Sequence, residues 1–225
     1  MNIVDKIDEK VKVKRVLMSV SDKTGLDEFI PKLVAASPDV TIYSTGGTYA
    51  KIKEILGDAA EGTLVSVSDY TGQPETQGGL VKTLDFKIYL GLLTETYNAS
   101  HQADLARTGG VPIDMVVVNL YPFRETIAKE GGTVENARGN IDIGGPTMIR
   151  ASAKNFIRVA SVVDPADYAM IADEMKAEGG ALSLALRFKL ARKAFEHTAA
   201  YDRAISDYLA DRVMDEVSGC YNLEG

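Results

Sequence analysis

The chain has 225 residues, of which 45% are hydrophobic and 25% are charged, and its formal net charge is −7. This composition is typical of a globular protein with a real core, and it excludes a chain that is largely disordered. The acidic balance argues against nucleic acid as a partner, because the overall field of the protein repels phosphate backbones.

The N-terminus and the few cysteines and histidines exclude further classes of protein. Charges interrupt the N-terminal segment too often for a signal peptide, and no run approaches the ~20 apolar residues that cross a bilayer. We therefore expect a cytoplasmic protein with no membrane partner. One cysteine, Cys220, cannot form an internal disulfide, and the histidines His101 and His197 lie far apart in sequence. A metal site is therefore not expected.

Short β-rich runs alternate with longer helical patterns along the chain. Strands are predicted at Val13–Val20, Asp39–Tyr43, Thr63–Val67, Lys87–Leu93, Met115–Leu120 and Val159–Val163. Helices are predicted at Leu26–Ala36, Tyr49–Leu56, Ser100–Arg107, Pro122–Lys129, Ala166–Lys176 and Ser183–Arg212. The alternation predicts an α/β fold with a mainly parallel sheet and helices on both faces.

The C-terminal part of the sequence is almost entirely helical. Ser183 is predicted to cap the long helix. Helical spacing predicts a buried stripe on it formed by Leu184, Phe188, Ala191, Phe195 and Thr198. We expect an N-terminal extension at 1–12, one domain at 13–215 with an α-rich elaboration after about 130, and a tail at 216–225.

Two turns that follow predicted strands have the features of a phosphate site. They are Ser19–Gly25 and Ser44–Thr48, and each leads into a predicted helix. In an open parallel sheet, ligands bind beyond the carboxyl ends of the strands, and a helix N-terminus favours an anion. The candidate donors are Ser21, Lys23, Thr45 and Thr48. One such turn is more typical of a tight turn with a capping threonine, but two after neighbouring strands favour phosphate.

Polar residues at later strand and helix ends are further candidates. Asn119 and Tyr121 alternate at the end of the clearest strand, so they point to one side of the sheet edge. Asp142 precedes a Gly-Gly-Pro sequence that predicts Pro146 at the first helical position, and its carboxylate either caps that helix or binds a ligand.

Two lysines have simple structural explanations as well as functional ones. Lys82 follows a glycine-rich loop, where a solvent-exposed side chain is the simpler interpretation. Lys154 ends the helix after Pro146, where a lysine complements the helix dipole. Neither position by itself indicates catalysis.

The motifs, taken in this order, resemble the IMP cyclohydrolase domain family, which occurs joined to an AICAR transformylase in a bifunctional purine-biosynthesis protein. The matching runs are SVSDKTGL at 19–26, STGGT at 44–48, VKTL at 81–84, VVVNLYPF at 116–123, NIDIGGP at 140–146, AKN at 153–155 and KAFEHTAAYD at 193–202. The resemblance covers about residues 13–210, and its motifs are jointly specific because NLYPF and NIDIGG have no generic structural explanation.

The resemblance implies a fold and a reaction. The fold is methylglyoxal-synthase-like, with three α/β/α layers around the sheet. The reaction closes 5-formamidoimidazole-4-carboxamide ribotide (FAICAR) to inosine monophosphate with loss of water, the last step of purine-ring synthesis, without a metal or organic cofactor. The implied partners are this purine ribonucleotide, a second copy of the chain in a homodimer, and a separate AICAR transformylase.

The resemblance also implies roles for individual residues. Lys154 matches the proposed general acid/base, and Lys82, Tyr121 and Asp142 match the rest of the catalytic group. The positions that match substrate-binding residues are Ser21, Asp22, Lys23, Thr45, Gly46, Gly47, Thr48, Val81, Thr83, Asn119, Leu120, Ile143, Gly144 and Gly145.

The chain departs from the family pattern at a few positions. Leu80 stands where the family has an arginine, so the planar, charged guanidinium of that arginine is missing. Asp85 and Phe86 replace a His-Pro pair, and Tyr89 and Phe156 each replace a histidine.

Two alternatives share the fold. One is a non-catalytic module that senses a nucleotide or phosphate, and the other is methylglyoxal synthase. The extra region after residue 130 argues against both. The melting temperature distinguishes the three, because the true ligand raises it by mass action when nucleotide monophosphate, phosphate and triose phosphate are compared.

Overall fold

The computed structural model describes residues 3–74, 76, 82–128 and 131–224. The strands are β1 Lys10–Lys12, β2 Arg15–Val20, β3 Thr41–Ser44, β4 Leu64–Ser66, β5 Met115–Asn119, β6 Ala160–Val162 and β7 Ala181–Ser183. The helices are α1 Leu26–Ala36, α2 Gly46–Leu56, α3 Val67–Thr71, α4 Phe86–Leu93, α5 Ala99–Thr108, α6 Phe123–Ile127, α7 Val134–Gly139, α8 Gly144–Lys154, α9 Tyr168–Ala177, α10 Leu184–Ala210 and α11 Met214–Ser218. Short 3₁₀ turns occur at Gly57–Ala60 and Pro165–Asp167.

A five-stranded parallel sheet organises the chain, in the order β4-β3-β2-β5-β6. The central strand β2 pairs with β3 on one side and β5 on the other, so that Val16 lies opposite Ile42 and Met115. The prediction of an α/β fold with a mainly parallel sheet is confirmed.

Alternate residues of β2 enter two separate cores, because successive side chains of a strand point to opposite faces. Val16 and Met18 pack in one core with Phe29 of α1. Leu17 packs in the other core with Ile149 of α8. The sheet is therefore the middle of three layers, as the resemblance implies, and its strands need apolar residues on both faces.

One predicted strand is wrong, since Lys87–Leu93 belongs to helix α4. The Asp85 carboxylate caps this helix by accepting the Lys87 N–H at 2.8 Å. Ile88 and Leu92, one helical turn apart, are fully buried. A short continuous apolar run fits a buried strand and a buried helix equally, so the capping residue decides between them.

The other predicted elements are present, α1 with the predicted bounds and the rest with one or both ends shifted. Helix α2 begins at Gly46 rather than Tyr49, because Gly46 adopts a positive φ of 47° that favours glycine and opens the helix inside the Gly-Gly turn. The predicted end of the fourth predicted helix, at Lys129, lies outside the described residues. No helix in the described ranges is long and apolar enough to cross a membrane.

The predicted buried stripe of α10 is only partly correct. Phe188 and Phe195 are 48% and 40% exposed, while Leu184 is half-buried. Ala191 and Thr198 are buried as predicted, and the buried face also includes Ala194. Small side chains let α10 lie close against its neighbours, and this close approach turns the bulkier phenylalanines outward. The predicted cap at the helix start is confirmed, because the capping hydroxyl accepts the Leu186 N–H at 3.2 Å.

The N-terminal segment is tied to the C-terminal half of the chain. Strand β1 pairs antiparallel with β7. The Arg187 guanidinium, in a residue only 1% exposed, donates to backbone carbonyls that include those of Asp8 and Glu9. The division of the chain into 1–12, 13–215 and 216–225 stays a prediction.

A buried ion pair joins the N-terminal ends of β2 and β5 to the end of α4. The Asp114 carboxylate accepts the N–H groups of Lys14 and Arg15, both at 2.9 Å, and contacts Arg158 Nη1 at 3.2 Å. Arg158 also donates to the carbonyl of Thr94 at 3.0 Å. Burial raises the pKa of Asp114, while the Arg158 charge opposes that shift.

We expect Asp114→Ala to lower the free energy of unfolding by about 3–5 kcal/mol, because it leaves the Arg158 charge buried without its partner. Urea denaturation measures the change. The control is Asp104→Ala, which breaks an exposed pair with Arg107 at 2.9 Å. That loss costs less than about 1 kcal/mol. Similar losses in the two variants would contradict the importance of the buried pair.

Candidate functional site

A cavity of about 510 Å³ lies beyond the carboxyl ends of β2, β3 and β5, between the N-termini of α2 and α8. The predicted site residues that line it are Ser21, Lys23, Thr45, Gly46, Gly47, Thr48, Lys82, Thr83, Asn119, Tyr121, Asp142, Ile143, Gly144 and Gly145. Asp22 and Leu120 line an adjoining cavity of about 820 Å³. Val81 lies outside the described residues. Segments far apart in sequence thus meet at one sheet edge, where ligands bind in open α/β folds.

The side chain of Asn119 holds the first turn in place. Its Oδ1 accepts the N–H groups of Ser21 and Asp22 at 2.7 and 2.9 Å, and its Nδ2 donates to the Asp22 carbonyl at 2.8 Å. The Asp22 carboxylate is also engaged locally, since the hydroxyl and N–H of Thr24 hold its pKa below the usual range. Both side chains build the turn before any ligand arrives.

The second turn has the features of an anion cradle. Among the described residues, the N–H groups of Gly46 and Gly47 have no hydrogen-bond partner, and they open the positive end of α2. The Lys23 ammonium lies above them, since a β-carbon built on Gly47 would stand 3.8 Å from its Nζ. The hydroxyls of Ser19 and Thr45 lie 2.9 Å apart beside the cradle.

The hydroxyl of Thr48 is already committed to the fold. It accepts the Val20 N–H and donates to the Val20 carbonyl, both at 3.0 Å, in a residue only 3% exposed. Thr48 therefore fastens α2 to the end of β2, and the free donors of the cradle are its neighbours.

Asp142 both caps α8 and lines the cavity. Its Oδ1 accepts the Gly145 N–H at 2.8 Å. Burial raises the pKa of Asp142, although hydrogen bonds from the backbone of Gly145 and Tyr121 oppose the shift. The predicted position of Pro146 is wrong, because α8 begins at Gly144 and the proline is the third residue. Proline is tolerated there because N–H groups of the first helical turn have no intrahelical partner.

The two glycines of this segment are required because a β-carbon would have no room there, and not because of an unusual φ angle. A β-carbon on Gly144 would lie 2.5 Å from Thr83 Oγ1. One on Gly145 would lie 2.5 Å from Asp142 Oδ2 and 2.6 Å from Leu120 Cδ2. Only glycine lets α8 approach the β5 loop and Thr83 this closely.

Lys154 does not reach this cavity in its own chain. It is exposed at the C-terminal end of α8. It lies nine residues beyond Gly145, which at helical rise is about 14 Å. Tyr121, unlike Lys154, lines the cavity. It lies at the boundary between the two cavities and is 55% exposed.

The departures from the family pattern lie away from the cavity, as far as they are described. Asp85 caps α4 and accepts from Gln73 Nε2 at 2.8 Å. Tyr89 is half-buried, and burial raises its pKa to about 12. Phe156 packs against Phe188 with ring centroids 5.1 Å apart. Leu80 lies outside the described residues.

Sequence reasoning missed several residues of the site. Ser19 lies two residues before Ser21 on the same strand end, and that alternation is a usable signal. Ile141 and Met148 line the cavity but carry no chemical signature that identifies them in a sequence. Tyr201 reaches the same segment from α10, through a hydrogen bond from the Asp142 N–H at 2.8 Å.

Residues 25–147 match the family of MGS-like domains, and the chain belongs to that family. Residues 152–224 match the family described as the AICARFT/IMPCHase bienzyme. The resemblance expected from the motifs is therefore confirmed. A solved structure described as "Crystal structure of ForH" has the same fold, with a TM-score of 0.72 at 29% identity over 86% of this chain and 97% of that one.

Three curated relatives are each named bifunctional purine biosynthesis protein PurH. The protein of Magnetococcus marinus is 50% identical over 88% of this chain and 36% of its own length. The protein of Neisseria meningitidis serogroup A is 51% identical over 92% and 38%. The protein of Ruminiclostridium cellulolyticum is 48% identical over 90% and 38%. The chain thus spans little more than a third of the length of these relatives.

We expect Asn119→Asp to lower the free energy of unfolding by about 1–3 kcal/mol, because a carboxylate oxygen replaces the amide that donates to the Asp22 carbonyl. Urea denaturation measures the loss. The matched control is Asn222→Asp, the same change at an exposed residue near the C-terminus. If both variants unfold at the same urea concentration as the parent, Asn119 does not hold the turn.

Proposed function

We propose that the cavity binds FAICAR and closes its second ring to give inosine monophosphate. The observation that carries the proposal is the joining, in one cavity, of an anion cradle at α2 with Lys82, Tyr121 and Asp142. The cavity volume of about 510 Å³ lies within the range of small-molecule sites, about 300–1,000 Å³. The similarity to the purine-biosynthesis relatives supports the same assignment.

The 5′-phosphate of the ribotide occupies the cradle at α2. The N–H groups of Gly46 and Gly47 and the ammonium of Lys23 supply the donors, and the helix dipole adds to the attraction. Thr45 contributes its hydroxyl from the end of β3. The imidazole ring then extends towards Asp142.

The reaction is an intramolecular attack of the carboxamide nitrogen on the formyl carbon. The formyl oxygen then leaves as water, for which one proton comes from the carboxamide and one from the formamide nitrogen. Both groups sit on one ring, so most of the entropy of bringing them together is already spent. Asp142 accepts the proton of the attacking amide. The Lys82 ammonium and the Gly144 N–H stabilise the oxyanion, since the Gly145 N–H is already bonded to Asp142. Tyr121 orients the imidazole ring of the ribotide from the rim of the cavity.

The role of Lys154 requires a second copy of the chain. Lys154 is exposed about 14 Å from the N-terminus of α8, so its ammonium cannot donate a proton in its own cavity. Nearby Phe188 and Phe195 leave large apolar surface exposed on α10. A homodimer that covers this face brings Lys154 to the cavity of the other copy, where it protonates the departing hydroxyl.

Supply of the substrate implies another activity. The formylated ribotide is the product of a formyl transfer, and we propose that an AICAR transformylase in the same cytoplasm provides it. The relatives are named bifunctional, which supports a close link between the two steps. A sensing module or methylglyoxal synthase is less well supported, because residues 152–224 match the bienzyme family.

Turnover of FAICAR, followed by ultraviolet absorbance with chelator present, tests the proposal. We expect Asp142→Asn to lower kcat by about 10²–10⁴-fold, as for loss of a general base. The control Asp173→Asn, at an exposed residue of α9, leaves kcat unchanged. Absence of turnover in the parent protein would refute the cyclohydrolase.

The pH profile provides an independent check on Asp142. A base works only when ionised, and burial raises the pKa of Asp142. Activity therefore falls as pH drops through a value above the usual aspartate pKa of about 3.9. Asp142→Asn removes this acid limb, whereas an unchanged limb in that variant would assign it to another group.

Co-expression of two inactive variants tests the role of Lys154. We expect Lys154→Ala and Asp142→Asn each to retain at most about 1% of the parent activity alone. In a mixed dimer one cavity keeps Asp142 from one copy and Lys154 from the other, so random pairing restores about a quarter of the parent activity. An active Lys154→Ala protein, or no recovery on mixing, would contradict this arrangement.

A further inference from the structure

The sequence motif at 193–202 lies on α10, and the proposed chemistry gives it no role. One of its residues, Tyr201, nevertheless reaches the segment that carries Asp142. The Tyr201 hydroxyl accepts the Asp142 N–H at 2.8 Å and faces the Asn140 carbonyl oxygen at 3.4 Å. A hydroxyl can accept one bond and donate another, so both contacts are compatible. Helix α10, far along the chain, is thus hydrogen-bonded to the loop before α8.

Tyr201 binds a backbone group, the Asp142 N–H, that has no alternative partner in the part of the chain that the structure describes. Among the described residues, the Asp142 N–H donates only to Tyr201, while the Asp142 carboxylate accepts from Gly145. The aspartate is therefore held through its carboxylate, which accepts from the backbones of Gly145 and Tyr121, and through its N–H, which is bound by α10. Removal of the Tyr201 hydroxyl leaves the bonds to the carboxylate, and the backbone of 140–142 then loses its hydrogen bonds to α10.

The ring of Tyr201 joins the same helix to the other side of the site. Tyr201 is 9% exposed and packs edge-on against Phe123, with ring centroids 6.1 Å apart. Phe123 follows Tyr121 and Pro122 at the end of β5. Burial also raises the pKa of Tyr201, so the phenol stays protonated at neutral pH and serves as a hydrogen-bond partner.

We propose that Tyr201 is a positioning residue, which holds the Asp142 carboxylate at the reacting amide through the Asp142 N–H. This inference rests on the proposed cyclohydrolase. The tyrosine hydroxyl bonds to the protein backbone, and Tyr201 lines the adjoining cavity rather than the one proposed to bind FAICAR. Its loss therefore weakens the alignment of the base and leaves the phosphate cradle at α2 unchanged, so kcat responds and KM does not.

Tyr201→Phe tests the inference, because it removes the hydroxyl and keeps the ring against Phe123. We expect kcat to fall by about 10- to 100-fold, with KM within about twofold of the parent. The matched control is Tyr208→Phe. Tyr208 lies on the same helix and packs edge-on against Phe123 with ring centroids 5.9 Å apart, whereas the hydrogen bonds to Asp142 and Asn140 are made by Tyr201. Its kcat should equal that of the parent.

Amide hydrogen exchange of Asp142, followed by nuclear magnetic resonance, gives a readout that does not depend on activity. We expect faster exchange in Tyr201→Phe than in the parent and in Tyr208→Phe, with α10 amides unchanged. Unchanged exchange, or faster exchange with unchanged kcat, would overturn the positioning role. A parent protein without turnover would refute the cyclohydrolase and with it this role, and the exchange rates would still decide whether Tyr201 fixes the loop.

Discussion

The site depends on the parallel pairing of β2 with β5. In that register Val20 lies opposite Asn119, so the strand ends stop at the same level. The Asn119 side chain can then bridge to the N–H groups of Ser21 and Asp22. A shift of one residue would turn every side chain of β2 to the other face. It would also separate the Asn119 side chain from the turn at Ser21 and Asp22. The buried apolar faces of the strands fix the register, and the register fixes the site.

Most polar groups around the cavity are bonded to the protein rather than left open for a ligand. Thr48, Asn119 and the Asp142 carboxylate all make hydrogen bonds within the fold. Such bonds hold the loops in place, so little reorganisation is needed when a charged ligand binds. The groups that remain available are few, and they include the N–H groups at the start of α2 beside Lys23. The proposed anion binding and catalysis therefore depend on a small part of the motif residues.

Helix α10 connects the parts of the molecule that the sheet does not. Arg187 near its start binds backbone carbonyls of the N-terminal segment, and Lys193 pairs with Asp164 and Asp167 at 2.7 and 2.8 Å. Tyr201, further along, reaches the Asp142 loop. The outer face of the helix carries exposed phenylalanines, which are chemically suited to contact with another copy of the chain. One long helix therefore supports the loops of the candidate site on one side and offers an apolar surface on the other.

The sequence by itself determined the type of fold and the approximate place of most elements. Apolar runs buried on both faces indicate parallel strands, and α1 lies at Leu26–Ala36 as its pattern predicts. Local pattern did not decide whether 87–93 is helix or strand, nor which face of α10 is buried, because a short apolar run fits both structures and periodicity does not fix the phase of an alanine-rich helix. Only the tertiary structure decided that Asn119 holds the turn at Ser21, that Lys154 lies far from its own cavity and that Tyr201 binds the Asp142 backbone. These facts depend on contacts between residues far apart in the chain, such as Asn119 and Ser21, which are 98 positions apart, and no local pattern encodes such contacts.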